Sequence, residues 1–294
     1  MNTSITVFDS SVFDFINKEF SIDTLSNDCL FTEGPVWNKE GFYLFSDTQA
    51  NLIYKQRPGH KKEVHLVNSG TANTNDPDLK PDQTGSNGLA YTVDGSLLIC
   101  QHGNHAIAKY DGSVMHNFIA GFQNRPFNSP NDLIVHKDGR IYFSDPPYGL
   151  KNGQLNIEKF QPVAGVYCRE KEDVRLICDT YQYPNGVCLS PGHDQLYICS
   201  SKPFEKFISV YDVATQQLIK VVAEENSDGI ECDQAGNIYL STKEGIVILN
   251  KEGHRLALVS LPSIPANHCW GGDGGKDLFI TARENIFLIR DFLR

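Results

Sequence analysis

No stretch of this 294-residue chain approaches the run of about eighteen apolar residues that a membrane span needs. The opening segment, MNTSITVFDSSVFDFINKEF, has neither a basic start nor the apolar centre of a secretion signal. The expectation is a soluble, unexported chain, cytoplasmic and without a membrane partner. Lys and Arg form no cluster and the formal net charge is -10, which argues against a nucleic-acid partner and favours cations or neutral polar ligands. The eight cysteines include no C-x-x-C pair and no zinc-finger spacing, so they read as free thiols in a reducing compartment. A hairpin could still bring Cys168 and Cys178 together as a disulfide. There is no G-x-S-x-G elbow, phosphate loop or dinucleotide fingerprint, and neither Ser129 nor Ser227 has a nucleophile's context. Serine-hydrolase and nucleotide-dependent chemistry are thereby disfavoured. Amphipathic helices of ten or more residues are missing too, SVFDFINKEF being the one candidate.

What the chain has instead is repetition. A short polar or acidic residue, a Gly or Asp, an apolar residue, a turn some seven residues on and a run alternating with period two recur six times. The copies are EGPVWNKEGFYLFSD from Glu33, NGLAYTVDGSLLICQ from Asn87, NDLIVHKDGRIYFSD from Asn131, NGVCLSPGHDQLYICS from Asn185, DGIECDQAGNIYLST from Asp228 and NHCWGGDGGKDLFITA from Asn267. Their starts lie 54, 44, 54, 43 and 39 residues apart, the period of four-stranded propeller blades. Third strands follow as NLIYKQ, AIAKYD, GVYCRE, FISVYD, GIVILN and NIFLIRD. The fold class is therefore all-β, a six-bladed β-propeller. The last copy ends at Arg294 after its third strand, and an open edge would invite aggregation. Residues 20–30 are expected to supply the missing outer strand and close the ring, with 1–19 as an N-terminal extension. The long stretches 70–85 and 147–165 read as excursions between strands, so 1–294 forms one domain, expected to be a monomer or weak homodimer.

In a propeller the first residue of each inner strand faces the axis at one mouth. That register holds Glu33, Asn87, Asn131, Asn185, Asp228 and Asn267 or His268. Such oxygen-rich side chains suit a hard divalent cation, Ca²⁺ or Mg²⁺, and offer no thiolates and few imidazoles for zinc. Asn, Asp and Gly before a strand are also favoured turn residues, and at any one position both readings stay open. Glu33 is a poor turn former in the same register, and its buried carboxylate would be repelled by the others without a cation or proton.

The segments TEGPVW, SNGLAYTVDGSLLICQHGN, SPNDLIVHKDGRIYFSDPPYGL, YPNGVCLSP, DGIECDQAGNIYLST and NHCWGGDGGKDLFITA resemble the signature segments of the gluconolactonase, regucalcin and luciferin-regenerating enzyme family. QHGN and SDPPYGL make the chain more similar to the microbial gluconolactonases than to the animal branch. The resemblance implies one divalent cation, Ca²⁺ in first place and Mg²⁺, Mn²⁺ or Zn²⁺ as substitutes. It would be held by Glu33, Asn185 and Asp228, with Asn131 beside it contacting metal or substrate. It also implies hydrolysis of sugar lactones to open acids. The animal branch carries an Arg two positions before the residue matching Asn131, where this chain has Ser129, so that branch's sugar recognition does not carry over.

The expected mechanism is a metal-dependent lactonase in which the cation polarises the lactone carbonyl and Asp228 activates water, with His102 as the rival base. Asn131, Asn87, Asp145, Tyr148 and His268 are the candidate substrate contacts. Two other readings remain. One keeps the metal and changes the electrophile to a phosphotriester or aryl ester; the other is a cation-binding propeller without catalysis.

Overall fold

A computed structural model describes residues 5–294. The alternating runs pair into six antiparallel sheets. The inner strands are Thr32–Asn38, Ser86–Tyr91, Leu133–Val135, Pro184–Leu189, Ile230–Cys232 and Asn267–Gly271. Each touches the inner strand of the next sheet, and the sixth touches the first, so the ring is closed. This is the six-bladed all-β propeller that the repeat predicts.

Period-two alternation explains how the blades stack. In Phe42–Asp47, Phe42 and Leu44 point into a cluster with Leu89, Leu97 and Ile99 of the second blade. Tyr43 and Phe45 point the other way, against Phe279 and Leu288 of the sixth. The second strand of a blade is thus apolar on both faces, and one apolar cluster fills each gap between neighbouring blades.

The N-terminal segment closes the last blade: Asp23–Ser26 pairs with Asn285–Ile289, Asp23 opposite Leu288 and Thr24 opposite Phe287. A further pairing was not foreseen. Ile5–Val7 adds a fifth strand to the fifth blade, Ile5 lying opposite Val259. Between these strands the candidate helix shrinks to a 3₁₀ turn, Ser10–Asp14, capped by Asp9 accepting from Ser11 N at 2.9 Å. Val12 and Ile16 are fully buried against Phe292, so this segment packs as an anchor. Cys168 and Cys178 do not face each other; Arg175 and Val166 are their partners in register, and all eight cysteines are free. Among the described residues, no helix is long and apolar enough to cross a membrane.

Candidate functional site at the channel mouth

Residues at or just before the start of five inner strands meet as expected. Glu33, Asn87, Asn131, Asn185 and Asp228 line one cavity of about 130 Å³, walled above by Phe31, Lys80, Gln83, Tyr148 and Ser201.

The Gly after most of these residues is needed for close packing rather than for a turn. A Cβ on Gly34 would lie 2.1 Å from Asn87 O, and one on Gly186 would lie 2.6 Å from Asp228 O. Gly88 and Gly229 press in the same way on Asn131 O and Asn267 Oδ1. Each Gly lets the next blade's backbone come close enough to bring its ring residue to the axis. The third blade has Asp132 in this place, and its Oδ2 accepts from Val187 N of the fourth at 3.1 Å.

Electrostatically the floor is under tension. Burial raises the pKa of Glu33 well above the ordinary carboxyl range, and the charges of Asp228 and Asp132 add to this. Burial likewise lifts Asp228 to about 6, opposed by Arg283, by the Asn185 amide and by Lys202. Asn185 Nδ2 donates to Asp228 Oδ1 at 2.6 Å. Asn87 Oδ1 is buried without a donor among the described residues. Two carboxylates whose ionised forms are disfavoured, beside an orphaned amide oxygen, make a donor set that fits a hard divalent cation. No group of three His, Cys, Asp or Glu side chains gathers at metal-binding spacing among the described residues, because amide oxygens make up the rest of this set.

Other candidates lie elsewhere. Asn267 and His268 miss the mouth and line a separate 290 Å³ cavity with Asp132 and Glu231. There Asn267 Oδ1 accepts from His268 N, and His268 Nδ1 is 2.8 Å from Ser241 Oγ. His102 is fully buried with Nδ1 3.2 Å from Gln83 O, behind the cavity wall rather than in it. Burial lowers its pKa to about 4. Tyr148 lines the cavity, its hydroxyl 2.7 Å from Ser201 Oγ. Ser129, where an Arg would stand in the animal branch, is buried and accepts from Gly149 N at 2.9 Å.

Asp145 does not reach the cavity; its carboxylate accepts from Asn128 N and Ser129 N, both at 2.8 Å. Two unforeseen side chains do the same. Asp47 accepts from Leu30 N at 2.9 Å and Phe31 N at 3.0 Å. Glu205 accepts from Gln182 N and, at 3.1 Å, Tyr183 N. In each case the gripped N–H groups lie two and three residues before a ring residue: Asn131, Glu33 and Asn185. These carboxylates hold the chain at its entry to the mouth. A signal for the first two was present, since FSD ends the second strand in both the first and third copies.

A family model described as the SMP-30/Gluconolactonase/LRE-like region matches residues 31–284. A gluconolactonase of Zymomonas mobilis subsp. mobilis is 33% identical over an alignment covering 97% of this chain and 85% of that protein. Among solved structures, a gluconolactonase from Xanthomonas campestris superposes with a TM-score of 0.84 at 23% identity, covering 100% of this chain and 96% of the other. A calcium-binding protein, regucalcin, from Agrobacterium tumefaciens superposes with a TM-score of 0.73 at 17% identity over 93% and 95%. At those identities the structural likenesses speak for the fold alone.

Proposed function

The chain belongs to the SMP-30/Gluconolactonase/LRE-like family, and from that premise we propose that it is a gluconolactonase-like hydrolase that opens a sugar lactone at the Glu33–Asn185–Asp228 mouth. The observation that carries this is Asp228, a carboxylate in a small polar cavity with Oδ1 fixed by Asn185 at 2.6 Å. Its Oδ2 has no protein donor among the described residues and can take a proton.

In the reaction, water adds to the lactone carbonyl carbon and gives a proton to Asp228. The acyl carbon–ring oxygen bond then breaks, and the ring oxygen leaves as a hydroxyl by taking that proton back from Asp228. The new carboxylic acid ionises, so each turnover releases one proton to solvent. A base positioned in this way contributes about 10²- to 10⁴-fold. Glu33, Asn185 and Asp228, with Asn131 beside them, are the residues that would hold a divalent cation. Bound there, the cation supplies Lewis-acid stabilisation of charge on the carbonyl oxygen. Asn87 and Tyr148 line the same cavity and would meet substrate hydroxyls. His102, enclosed behind Gln83, is given no part in the proton transfer.

The direct test is a lactone panel followed with a pH indicator, with glucono-δ-lactone first and Ca²⁺, Mg²⁺, Mn²⁺ or Zn²⁺ added in turn to chelator-treated protein. Acid release above the spontaneous rate supports the reading; its absence throughout the panel contradicts it.

A further inference from the structure

The whole-chain charge points to cationic or neutral ligands, but three cations stand around the mouth. Lys80 lines the cavity. Lys202 is half-buried over two aromatic faces, its Nζ 4.3 Å from the centre of the Tyr183 ring and 5.1 Å from that of Tyr148. From the other side Arg283 places its guanidinium carbon 5.0 Å from the centre of the Phe31 ring. Tyr148 and Phe31 both line the cavity. Lys80 has a carboxylate, Asp82, at 3.4 Å. Lys202 and Arg283 have none within 4 Å among the described residues, only their aromatic platforms.

Lys202 feels charges of both signs: its own burial depresses its pKa most, Asp228 and Glu205 raise it, and Lys80 and Lys243 lower it. Glu33 and Asp228 act on these cations only at a distance, and with no carboxylate in contact among the described residues Lys202 and Arg283 keep their N–H donors free for an anionic ligand. A chain carrying a net charge of -10 has carboxylates to spare, yet it places none against these two side chains.

We propose that the lactone taken by this site carries a second acidic group, a carboxylate or a phosphate, held at the mouth by Lys202 and Arg283 while the lactone carbonyl lies over the floor; this rests on the lactonase reading above. The competing explanation is that both cations merely offset Glu33 and Asp228. In that case their removal would affect charged and neutral substrates alike.

The full chain with Ca²⁺ is assayed on glucono-δ-lactone, on the γ-lactone of glucarate and on the δ-lactone of phosphorylated gluconate, at low and high ionic strength. At low salt kcat/KM for one charged lactone should exceed the neutral value by roughly tenfold, and high salt should erode that advantage. Lys202→Met and Arg283→Met should each lower the charged-to-neutral ratio by about tenfold, as expected for loss of one close charge pair. The charged substrate favoured tells carboxylate from phosphate. A neutral lactone turned over fastest, or a ratio unmoved in both variants, overturns the proposal and leaves the lactonase reading intact. Calorimetry with glucarate and phosphogluconate reads the anion site without turnover. If no lactone opens, yet one of these acids binds and loses about tenfold in Lys202→Met, the lactonase reading falls and the anion site stands. No binding and no charged preference sinks the proposal outright.

Discussion

Asn185 reaches across 43 residues of chain to donate its side-chain amide to Asp228 Oδ1 at 2.6 Å. The contact joins the fourth and fifth blades and fixes one oxygen of a carboxylate that lines the cavity.

Replacing that carboxylate with its isostere isolates the chemistry. Asp228→Asn should lower kcat/KM on any lactone the protein opens by about 10²- to 10⁴-fold. Its urea midpoint should correspond to wild type within about 1 kcal/mol, since shape and burial are kept. Activity near wild type would remove Asp228 from the proton transfer.

The entry clamps make a different demand. Asp145→Asn keeps one acceptor oxygen and turns an amide N–H toward a backbone donor, so one of the two 2.8 Å bonds to Asn128 N and Ser129 N is lost in a fully buried place. The expected cost is about 2–3 kcal/mol in urea denaturation, with activity lowered because Asn131 is displaced. Asp47→Asn should behave alike in the first blade. A midpoint unchanged in both would mean that the clamps do not hold the mouth.

Gly186→Ala tests the close approach of the blades. Its Cβ would meet Asp228 O at 2.6 Å and Ile230 N at 2.9 Å, and backbone cannot give way as a side chain can. A loss of about 1–3 kcal/mol is expected, together with lost activity. Gly192→Ala, which meets only a side chain of the turn beyond the same strand, should stay within about 0.5 kcal/mol. Equal effects would point to a general loss of glycine flexibility.

Stability of chelator-treated protein should depend on pH through the floor. Unfolded Asp and Glu titrate near about 4, whereas burial holds Asp228 at about 6 and Glu33 well above its ordinary range. Between these values the folded chain binds more protons than the unfolded one. This contribution is complete below the unfolded pKa and is lost as pH rises through about 6. Thermal midpoints from pH 4 to 8 should fall more steeply for wild type than for Asp228→Asn, and added Ca²⁺ should remove the difference. Parallel curves would show that the floor is not under tension.

The ring residues were legible because propeller geometry turns a repeat register into convergence at an axis. The Asn-Gly pairs were ambiguous because turns and tight blade contacts ask for the same residues, and only neighbours such as Asp228 O beside Gly186 decide between them. Asn267 and His268 fall away from the mouth because the sixth copy is offset by one residue: Ala266 O accepts from Gly229 N as Asn131 O does from Gly88 N and Asp228 O from Gly186 N, so Ala266 holds the ring position. Asp145 reads from the sequence as a pocket residue, yet its work is on the backbone N–H groups of Asn128 and Ser129, a role whose one sequence trace is the FSD it shares with Asp47. Lys202 and Arg283 do not stand out in the sequence, since both lie in loops just beyond the second strands of their copies. The closing strand at 20–30 followed from the count of strands, whereas Ile5–Val7 adds to a blade that was already complete.

Calorimetric titration of the chelator-treated chain with Ca²⁺ tests the cation site most directly. One ion per chain is expected to bind to wild type, with affinity weakened at least about tenfold in Glu33→Gln and in Asp228→Asn, each of which removes one charged oxygen ligand. No binding, or binding equally tight in all three proteins, would contradict a cation held at the meeting point of these side chains.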